Sequence, residues 1–220
     1  MGLLLVAPVP EAEARPVNSE AQLWYSAFTQ GPIARSFLYY LEAQPRFSER
    51  DTRLILRPAL GLALTPELSV WLGQAWIPVW VHDEDPALRS GESRLFQQLL
   101  YTPTLGSLRM TVRARLEQRF LPGTTEVAHR ARLFLRGAHP LGEGLPSLIL
   151  WDEAFFHLNS VEGGPRTGFD QNRAFLGAGW KLAPHVTLEV GYLNVFTRRP
   201  TAETDQMVHA PYVFTIFNFL

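Results

Sequence analysis

The clearest pattern along the chain is the alternation of polar and apolar residues in RMTVRARLEQRF, residues 109–120. At the 100° spacing of a helix, Arg109 and Arg119 would share a face with Val112 and Phe120, which would mix charged and apolar side chains. A two-residue period separates the two kinds almost completely and predicts a strand with one polar and one apolar face. A strand of about 12 residues is long for a soluble sheet, but it suits the roughly 9–11 tilted residues that cross a bilayer.

The same alternation recurs along the chain, for example in RLILRPALGLAL (53–64), ELSVWLGQAWIPVW (67–80) and EVAHRARLFLR (126–136). Turn-forming residues separate these runs, and neither an internal repeat nor a low-complexity linker interrupts them. We therefore predict one all-β domain over residues 15–220, with about eleven strands. The predicted strands lie near residues 21–29, 33–46, 52–63, 67–80, 92–101, 107–120, 126–137, 146–158, 170–181, 185–197 and 207–220.

The connections between the predicted strands alternate between short turns and long polar loops over most of the chain. Outer-membrane barrels show this asymmetry, with short periplasmic turns and longer extracellular loops. We predict an antiparallel transmembrane β-barrel of about 10–12 strands, and we expect ten or twelve because bacterial single-chain barrels normally have an even number. The short turns are LTPE (64–67), TPTLG (102–106) and LAPH (182–185), and the long loops are HDEDPALRSGE (82–92), SVEGGPRTGFD (160–170) and TRRPTAETD (197–205).

Alternation alone does not decide which face meets water, since a soluble lipid-binding barrel would bury its apolar face and a membrane barrel exposes it to lipid. Three features favour the membrane. The polar faces are rich in arginine, while Lys181 is the only lysine, and arginine is better suited to confined, multiply hydrogen-bonded ion pairs. The chain ends in YVFTIFNFL, which resembles the assembly signal of outer-membrane barrels. Aromatic residues near strand ends fit interfacial girdles, namely Trp76, Trp80, Phe120, Trp180, Tyr192 and Phe196.

Composition narrows the remaining classes of protein. A length of 220 residues suits one barrel domain, and a net charge of −1 argues against nucleic-acid binding, which requires a basic excess. The absence of cysteine removes disulfides, thiolate metal sites and cysteine nucleophiles. No apolar run reaches the roughly 18 residues of a transmembrane helix. Because its apolar run precedes the small residues Ala12 and Ala14, we interpret 1–14 as a signal-peptide remnant, the alternative being an N-terminus without a targeting role.

In a membrane barrel, the charged faces of these strands point into the lumen, and they provide the candidate site. One interpretation is structural, because buried charges must be paired and hydrogen-bonded in a narrow barrel filled by its own side chains. The other is anion binding or passage, because the set contains eight arginines and three carboxylates. The predicted lumen residues are Arg94, Arg113, Arg115, Glu117, Arg119, Arg130, Arg132, Arg136, Glu153, Arg173 and Glu189.

Two weaker signals concern catalysis and metal binding. WDEAFFHLNS (151–160) contains Glu153, His157 and Ser160, the residue types of a hydrolase, but on a strand the first two lie about 13 Å apart and the serine has the opposite parity. The acidic run at 82–85 has oxygen ligands for Ca²⁺ or Mg²⁺ without the spacing of an EF-hand, and a solvated loop accounts for it better. We therefore predict no catalytic residue, metal site or cofactor.

Motifs spread over residues 20–220 also resemble a known family and keep its order. They are Trp24 with Gln30-Gly31-Pro32, Arg57-Pro58-Ala59-Leu60-Gly61, Trp71-Leu72-Gly73, Glu92-Ser93-Arg94, Gln97-Gln98-Leu99, Arg113-Ala114-Arg115-Leu116-Glu117-Gln118-Arg119, Glu153-Ala154-Phe155, Asn172-Arg173, Gly177-Ala178-Gly179 and Gly191-Tyr192-Leu193. This set resembles domain-of-unknown-function family 2490, a bacterial group regarded as outer-membrane β-barrels. The resemblance implies the fold and the location, and it implies no activity. The departure is the N-terminus, where a full signal peptide is absent.

These observations predict an integral protein of the bacterial outer membrane, with a structural role or a role in passive transport of anions or small solutes. The alternative is an outer-membrane enzyme that hydrolyses or transfers lipid acyl chains. The expected partners are membrane lipid, outer-membrane lipopolysaccharide and, through the C-terminal strand, the barrel assembly machinery.

Overall fold

The computed structural model describes residues 15–83 and 88–220, in which β-strands are the only regular elements. The predicted all-β class is confirmed. The signal-peptide interpretation of residues 1–14 falls outside the described residues. The strands are β1 (Val17–Ala21), β2 (Leu23–Ala34), β3 (Phe37–Phe47), β4 (Asp51–Ala63), β5 (Leu68–Val81), β6 (Leu88–Tyr101), β7 (Thr104–Leu105), β8 (Leu108–Phe120), β9 (Val127–Pro140), β10 (Ser147–His157), β11 (Gly168–Ala183), β12 (Val186–Thr197) and β13 (Asp205–Asn218).

The strands form one closed sheet in which each long strand pairs with its neighbours along the chain. β1 and β2 are two parts of one N-terminal strand, because Ala21 pairs with His209 and Trp24 with Tyr212 in continuous register on β13. β7 pairs only with β8 and is not one of the strands that form the barrel wall. The wall therefore has eleven strands, as the eleven hydrophobic runs predict.

The expectation of ten or twelve strands is wrong. In an up-and-down barrel with an odd number of strands, the first and last strands run in the same direction, so closure requires a parallel pair. β13 accordingly pairs in parallel with β1 and β2, and the other long strands pair antiparallel. The even-number rule describes barrels that close with an antiparallel pair, and this parallel seam removes that requirement.

The two ends of the barrel differ as the connection lengths predict. The three predicted short turns lie at one end, together with the C-terminal end of β13, and we call this the short-turn end. The opposite end, which we call the loop end, carries the predicted long loops at 160–170 and 197–205 and the described start of the third, His82 and Asp83. The described part of the chain contains no helix long and apolar enough to cross a membrane.

The polarity of the wall is the reverse of that in a soluble barrel. On β8, Val112, Leu116 and Phe120 point outward with 39–49% of their surface exposed, whereas Arg115 and Glu117 point inward and are 5% and 1% exposed. The same division holds around the sheet, where the outer face is covered by exposed leucine, valine and aromatic side chains. The outward apolar face is therefore the surface that lipid would cover, and the soluble alternative does not fit.

Aromatic side chains mark both edges of this apolar face. Near the loop end, Phe169 lies between Phe156 and Phe196, with ring centroids 5.9 and 6.1 Å apart. Near the short-turn end, Trp180 and Phe217 are exposed on the outer wall. Two such rims, one at each end, are what interfacial girdles require.

The lumen is filled by side chains, and a group of packed aromatic rings lies toward its short-turn end beside charged residues. Trp151 stacks on Phe175 at 5.2 Å, and Tyr212 and Phe214 pack edge-on against that pair. Glycines make room for the rings. A Cβ on Gly73 would overlap the Phe96 ring, which is 1% exposed. Small barrels are often closed in this way by their own side chains.

Candidate functional site

All eleven predicted lumen residues lie on the inner face of the barrel, and the structure joins most of them into one ion-pair network. They come from β6, β8, β9, β10, β11 and β12, at positions with inward parity. The network has two central glutamates, Glu117 and Glu153, which are 1% and 3% exposed.

Glu117 receives hydrogen bonds from two arginines of the neighbouring strand. Arg130 donates to Oε2 from Nε at 3.0 Å and from Nη2 at 2.6 Å, and Arg132 donates to Oε1 at 2.5 Å. The register of β8 with β9 produces this arrangement, since Glu117 is directly paired with Arg130. Charge-assisted bonds of this length are the strong class of protein hydrogen bonds, and both carboxylate oxygens are satisfied.

Arg132 also links Glu117 to Glu153. Its Nε and Nη2 donate to Glu153 Oε1 at 3.0 and 2.7 Å, and Arg113 donates to the same oxygen at 2.6 Å. Arg173 lies farther away, with Nη1 4.0 Å from Glu153 Oε2. The guanidinium of Arg132 on β9 therefore links the two neighbouring strands, β8 and β10, along the inner face.

A second group of ion pairs lies nearer the loop end. Glu92 accepts hydrogen bonds from Arg94 and Arg119, at distances between 2.5 and 3.0 Å. Asp170 accepts one from Arg130 at 2.9 Å. Toward the short-turn end, Arg136 is bonded to Glu189. The charged network therefore extends along most of the lumen.

Sequence reasoning missed the part of the network that lies on β3 and β4. Tyr40, Glu42, Gln44 and Arg46 point inward from β3, and Glu42 pairs with Arg57 of β4. The signal was available, because FLYYLEAQPRF (37–47) alternates with the same two-residue period, but its polar face contains only two charges. Glu92 was missed although it stands in the Glu92-Ser93-Arg94 motif, and Asp170 was missed because it follows a loop.

Buried aromatic rings also contact the guanidinium groups, both those bound by carboxylates and those that are not. Phe155 is fully buried, and the guanidinium carbons of Arg130, Arg132 and Arg173 lie 5.0, 4.5 and 4.5 Å from its centroid. Arg46 lies over Trp24 at 3.6 Å. Cation–π contacts of this kind are strongest in desolvated sites, so the buried rings stabilise the charges.

The residues weighed for hydrolase chemistry do not meet in the described structure. Glu153 is occupied by Arg113 and Arg132. His157 is 6% exposed, and its Nε2 lies 3.4 Å from Asp170 Oδ1. Ser160 Oγ lies in the following loop and contacts the Thr167 hydroxyl at 3.2 Å. A histidine–carboxylate pair is therefore present without the adjacent hydroxyl nucleophile that covalent catalysis needs.

The described residues contain no group of three histidine or acidic side chains placed to hold a metal ion. In the acidic run at 82–85, His82 and Asp83 are described and belong to no such group. Glu84 and Asp85 fall outside the described residues. Two apolar grooves, of about 470 and 330 Å³, involve outward-facing residues of β3 and β4 that include Leu41 and Pro58.

Comparison with known proteins gives a family and a fold. The family described as "Protein of unknown function (DUF2490)" matches residues 21–207. An uncharacterized protein of Methylorubrum extorquens is 34% identical and covers 94% of this chain and 91% of its own length. Among solved structures, LpxR from Salmonella typhimurium superimposes with a TM-score of 0.51 over 87% of each chain, at 10% identity. At that identity, the likeness to LpxR concerns the fold alone.

Proposed function

Because the chain belongs to the DUF2490 family, for which no activity is described, we propose its function from the barrel itself: an integral outer-membrane protein whose lumen is closed by a structural network of arginines and carboxylates. The observation that carries this proposal is the reversed polarity of the wall. Leu60 and Leu133 are exposed outward by 63% and 58%, while Glu117 and Arg132 are buried inside at 1% and 3%. In water, such an outer face would be a single large apolar patch, which soluble monomers rarely carry.

The fold supports an outer-membrane location, since LpxR is itself an outer-membrane barrel. The polar loop end would then face outward toward lipopolysaccharide, and the short turns would face the periplasm. Phe217, Phe219 and Leu220 are exposed at the end of β13, where they are accessible to the barrel assembly machinery. Lipid, lipopolysaccharide and this machinery are the partners that we propose.

Closure of the lumen follows from the burial of its charges. Arg115, Glu117, Arg130 and Arg132 are all at most 5% exposed, although they lie at the middle of the barrel. A water-filled pore would leave such side chains accessible, as in the larger porin barrels. We therefore favour a structural role over passive transport.

Planar bilayers test this choice. The purified protein, inserted into a bilayer bathed in about 1 M KCl, is expected to give no current steps, because the packed side chains leave no water-filled path through the lumen. A Glu153→Ala variant serves as the comparison, since it removes a carboxylate that holds Arg113 and Arg132 in place. Anion-selective steps in the unmodified protein would overturn the closed lumen and favour the transport role.

A further inference from the structure

The inner face carries more positive charge than its carboxylates can neutralise. Buried charge without a partner is costly in a low-dielectric interior. The charged network described above contains ten arginines and six carboxylates, an excess of four positive charges. The arginines are Arg46, Arg57, Arg94, Arg113, Arg115, Arg119, Arg130, Arg132, Arg136 and Arg173, and the carboxylates are Glu42, Glu92, Glu117, Glu153, Asp170 and Glu189.

The lack of carboxylate partners is concentrated on three arginines. Within the described residues, Arg46 has no carboxylate oxygen within 4.0 Å, and its Nε is buried without a hydrogen-bond partner. Arg115 donates to Gln98 Oε1, but its Nη1 has no hydrogen-bond partner and lies 3.8 Å from Glu117. Arg173 reaches a carboxylate only at 4.0 Å.

These arginines lie in one region of the lumen rather than at separate points. Trp24 contacts both Arg46, at 3.6 Å, and Arg173, at 5.2 Å. Gln44 Oε1 accepts hydrogen bonds from Arg46 at 2.7 Å and from Arg57 at 3.5 Å, which places those two guanidiniums side by side. Arg115 lies over the Phe96 ring at 4.1 Å, and Tyr40 packs against the buried cluster that contains Phe96. The Tyr40 hydroxyl donates to Glu42, the carboxylate that binds Arg57. The Nε of Arg57 is also buried and without a partner.

We propose that this arginine cluster, formed by Arg46, Arg57, Arg115 and Arg173, binds a phosphate group. Guanidinium forks match phosphate oxygens in paired, charge-assisted hydrogen bonds. A dianionic group offsets more of the excess than a carboxylate does, and it offers acceptors to the unpartnered nitrogens of Arg46, Arg57 and Arg115. Solvent reaches the inner face beside the cluster, because Arg113, which shares Glu153 with Arg173, has a side chain that is 20% exposed.

The direct test is equilibrium dialysis of ³²P-labelled inorganic phosphate against the folded barrel in zwitterionic detergent, at constant ionic strength set with chloride. We expect saturable binding that is at least about tenfold weaker in Arg46→Gln and in Arg115→Gln, because each variant removes charge-assisted hydrogen bonds. Arg109→Gln is the matched control, since Arg109 is an exposed arginine of β8 outside the cluster, and its binding should be unchanged. The absence of saturable binding, or equal binding by all four proteins, would overturn the proposal.

A stability measurement separates ligand binding from a merely structural role. In phosphate-free buffer, Arg46→Gln should unfold at a higher urea concentration than the unmodified protein, because it removes an unneutralised buried charge. At a given concentration, phosphate should stabilise the unmodified protein more than Arg46→Gln, because the variant binds it more weakly. A destabilised Arg46→Gln, with no effect of phosphate on either protein, would contradict the proposal. Arg46→Lys, which keeps the charge but loses the fork, replaces any variant that fails to fold.

The source of the phosphate is decided by competition. Displacement of labelled phosphate by dihexanoyl phosphatidic acid would assign the site to a lipid phosphate. If unlabelled inorganic phosphate displaces the label and the lipid does not, the site binds the free ion. Either result supports the proposed cluster. The proposed closed barrel is tested separately by bilayer conductance, so that failure of one proposal is distinguishable from failure of the other.

Discussion

Arg132 shows how a single residue holds the lumen together. Its side chain is 4% exposed, and its guanidinium binds both Glu117 and Glu153. Removing one member of a buried ion pair leaves the partner charge uncompensated, which typically costs about 3–5 kcal/mol. We expect Arg132→Gln to lower the free energy of unfolding by about that amount, measured by urea titration of the barrel in detergent micelles.

Arg53→Gln is the control for this experiment. Arg53 pairs with Asp51 at 2.8 Å, but its side chain is 54% exposed. Exposed ion pairs contribute about 0–1 kcal/mol, so the control should stay close to the unmodified protein. Equal effects of the two substitutions would show that burial of the network does not matter to stability.

The sequence identifies most of the inward-facing residues of this network, but it does not show which arginine pairs with which carboxylate. Parity along β8 and β9 is enough to place Arg115, Glu117, Arg130 and Arg132 inside, because a two-residue period fixes the face of each side chain. Pairing across strands depends on register, and the spacing of turns fixes register only to within a few residues. That is why the bridge from Arg132 to two glutamates required the structure.

At the scale of elements, the parallel seam is the feature that sequence reasoning got wrong. Ten antiparallel pairings between neighbouring runs can be predicted from short connections, which leave no room for another order. The closure joins residues about 190 positions apart, and no local pattern reports on it. The strand count of eleven therefore conflicted with the even-number rule until the direction of the closing pair was known.

Cysteine cross-linking tests the seam. Thr29 and Phe217 are Cα partners across β2 and β13, and the chain has no cysteine of its own. We expect Thr29→Cys with Phe217→Cys to form a disulfide in the folded barrel, because neighbouring strands lie about 4.8 Å apart and disulfides span this distance. The mobility of the chain on non-reducing gels reports the cross-link.

The control pairs Thr29→Cys with Val213→Cys, which lies four residues before Phe217 in β13. At about 3.3 Å per residue, the two sulfurs are too far apart to join. Cross-linking of the control, or failure of the first pair in folded protein, would contradict the parallel register.

At the scale of the whole molecule, the central feature is the apolar outer face, which we expect lipid to cover. Leu60 is exposed by 63% on the outer wall of β4. An arginine on the lipid-facing side of a barrel costs about 2–4 kcal/mol near the bilayer midplane, whereas in water it would be nearly neutral. We expect Leu60→Arg to destabilise the barrel in lipid vesicles by an amount in this range, measured by urea titration.

Leu145→Arg provides the comparison, because Leu145 is similarly exposed, at 61%, but lies in the turn between β9 and β10. Its substitution should have little effect on stability. If both variants were as stable as the unmodified protein in vesicles, the outer face of β4 would not be in contact with the hydrocarbon core.

The most direct test of the central claim is to express the chain behind a complete signal peptide, isolate outer membranes, and compare boiled and unboiled samples on SDS gels. A closed membrane barrel keeps its ladder of hydrogen bonds in detergent until it is heated, so we predict a band in the outer-membrane fraction whose mobility changes on boiling. A protein that remains in the aqueous fraction and shows no heat-dependent shift would contradict the account, because its apolar outer face would then have to be covered by something other than lipid.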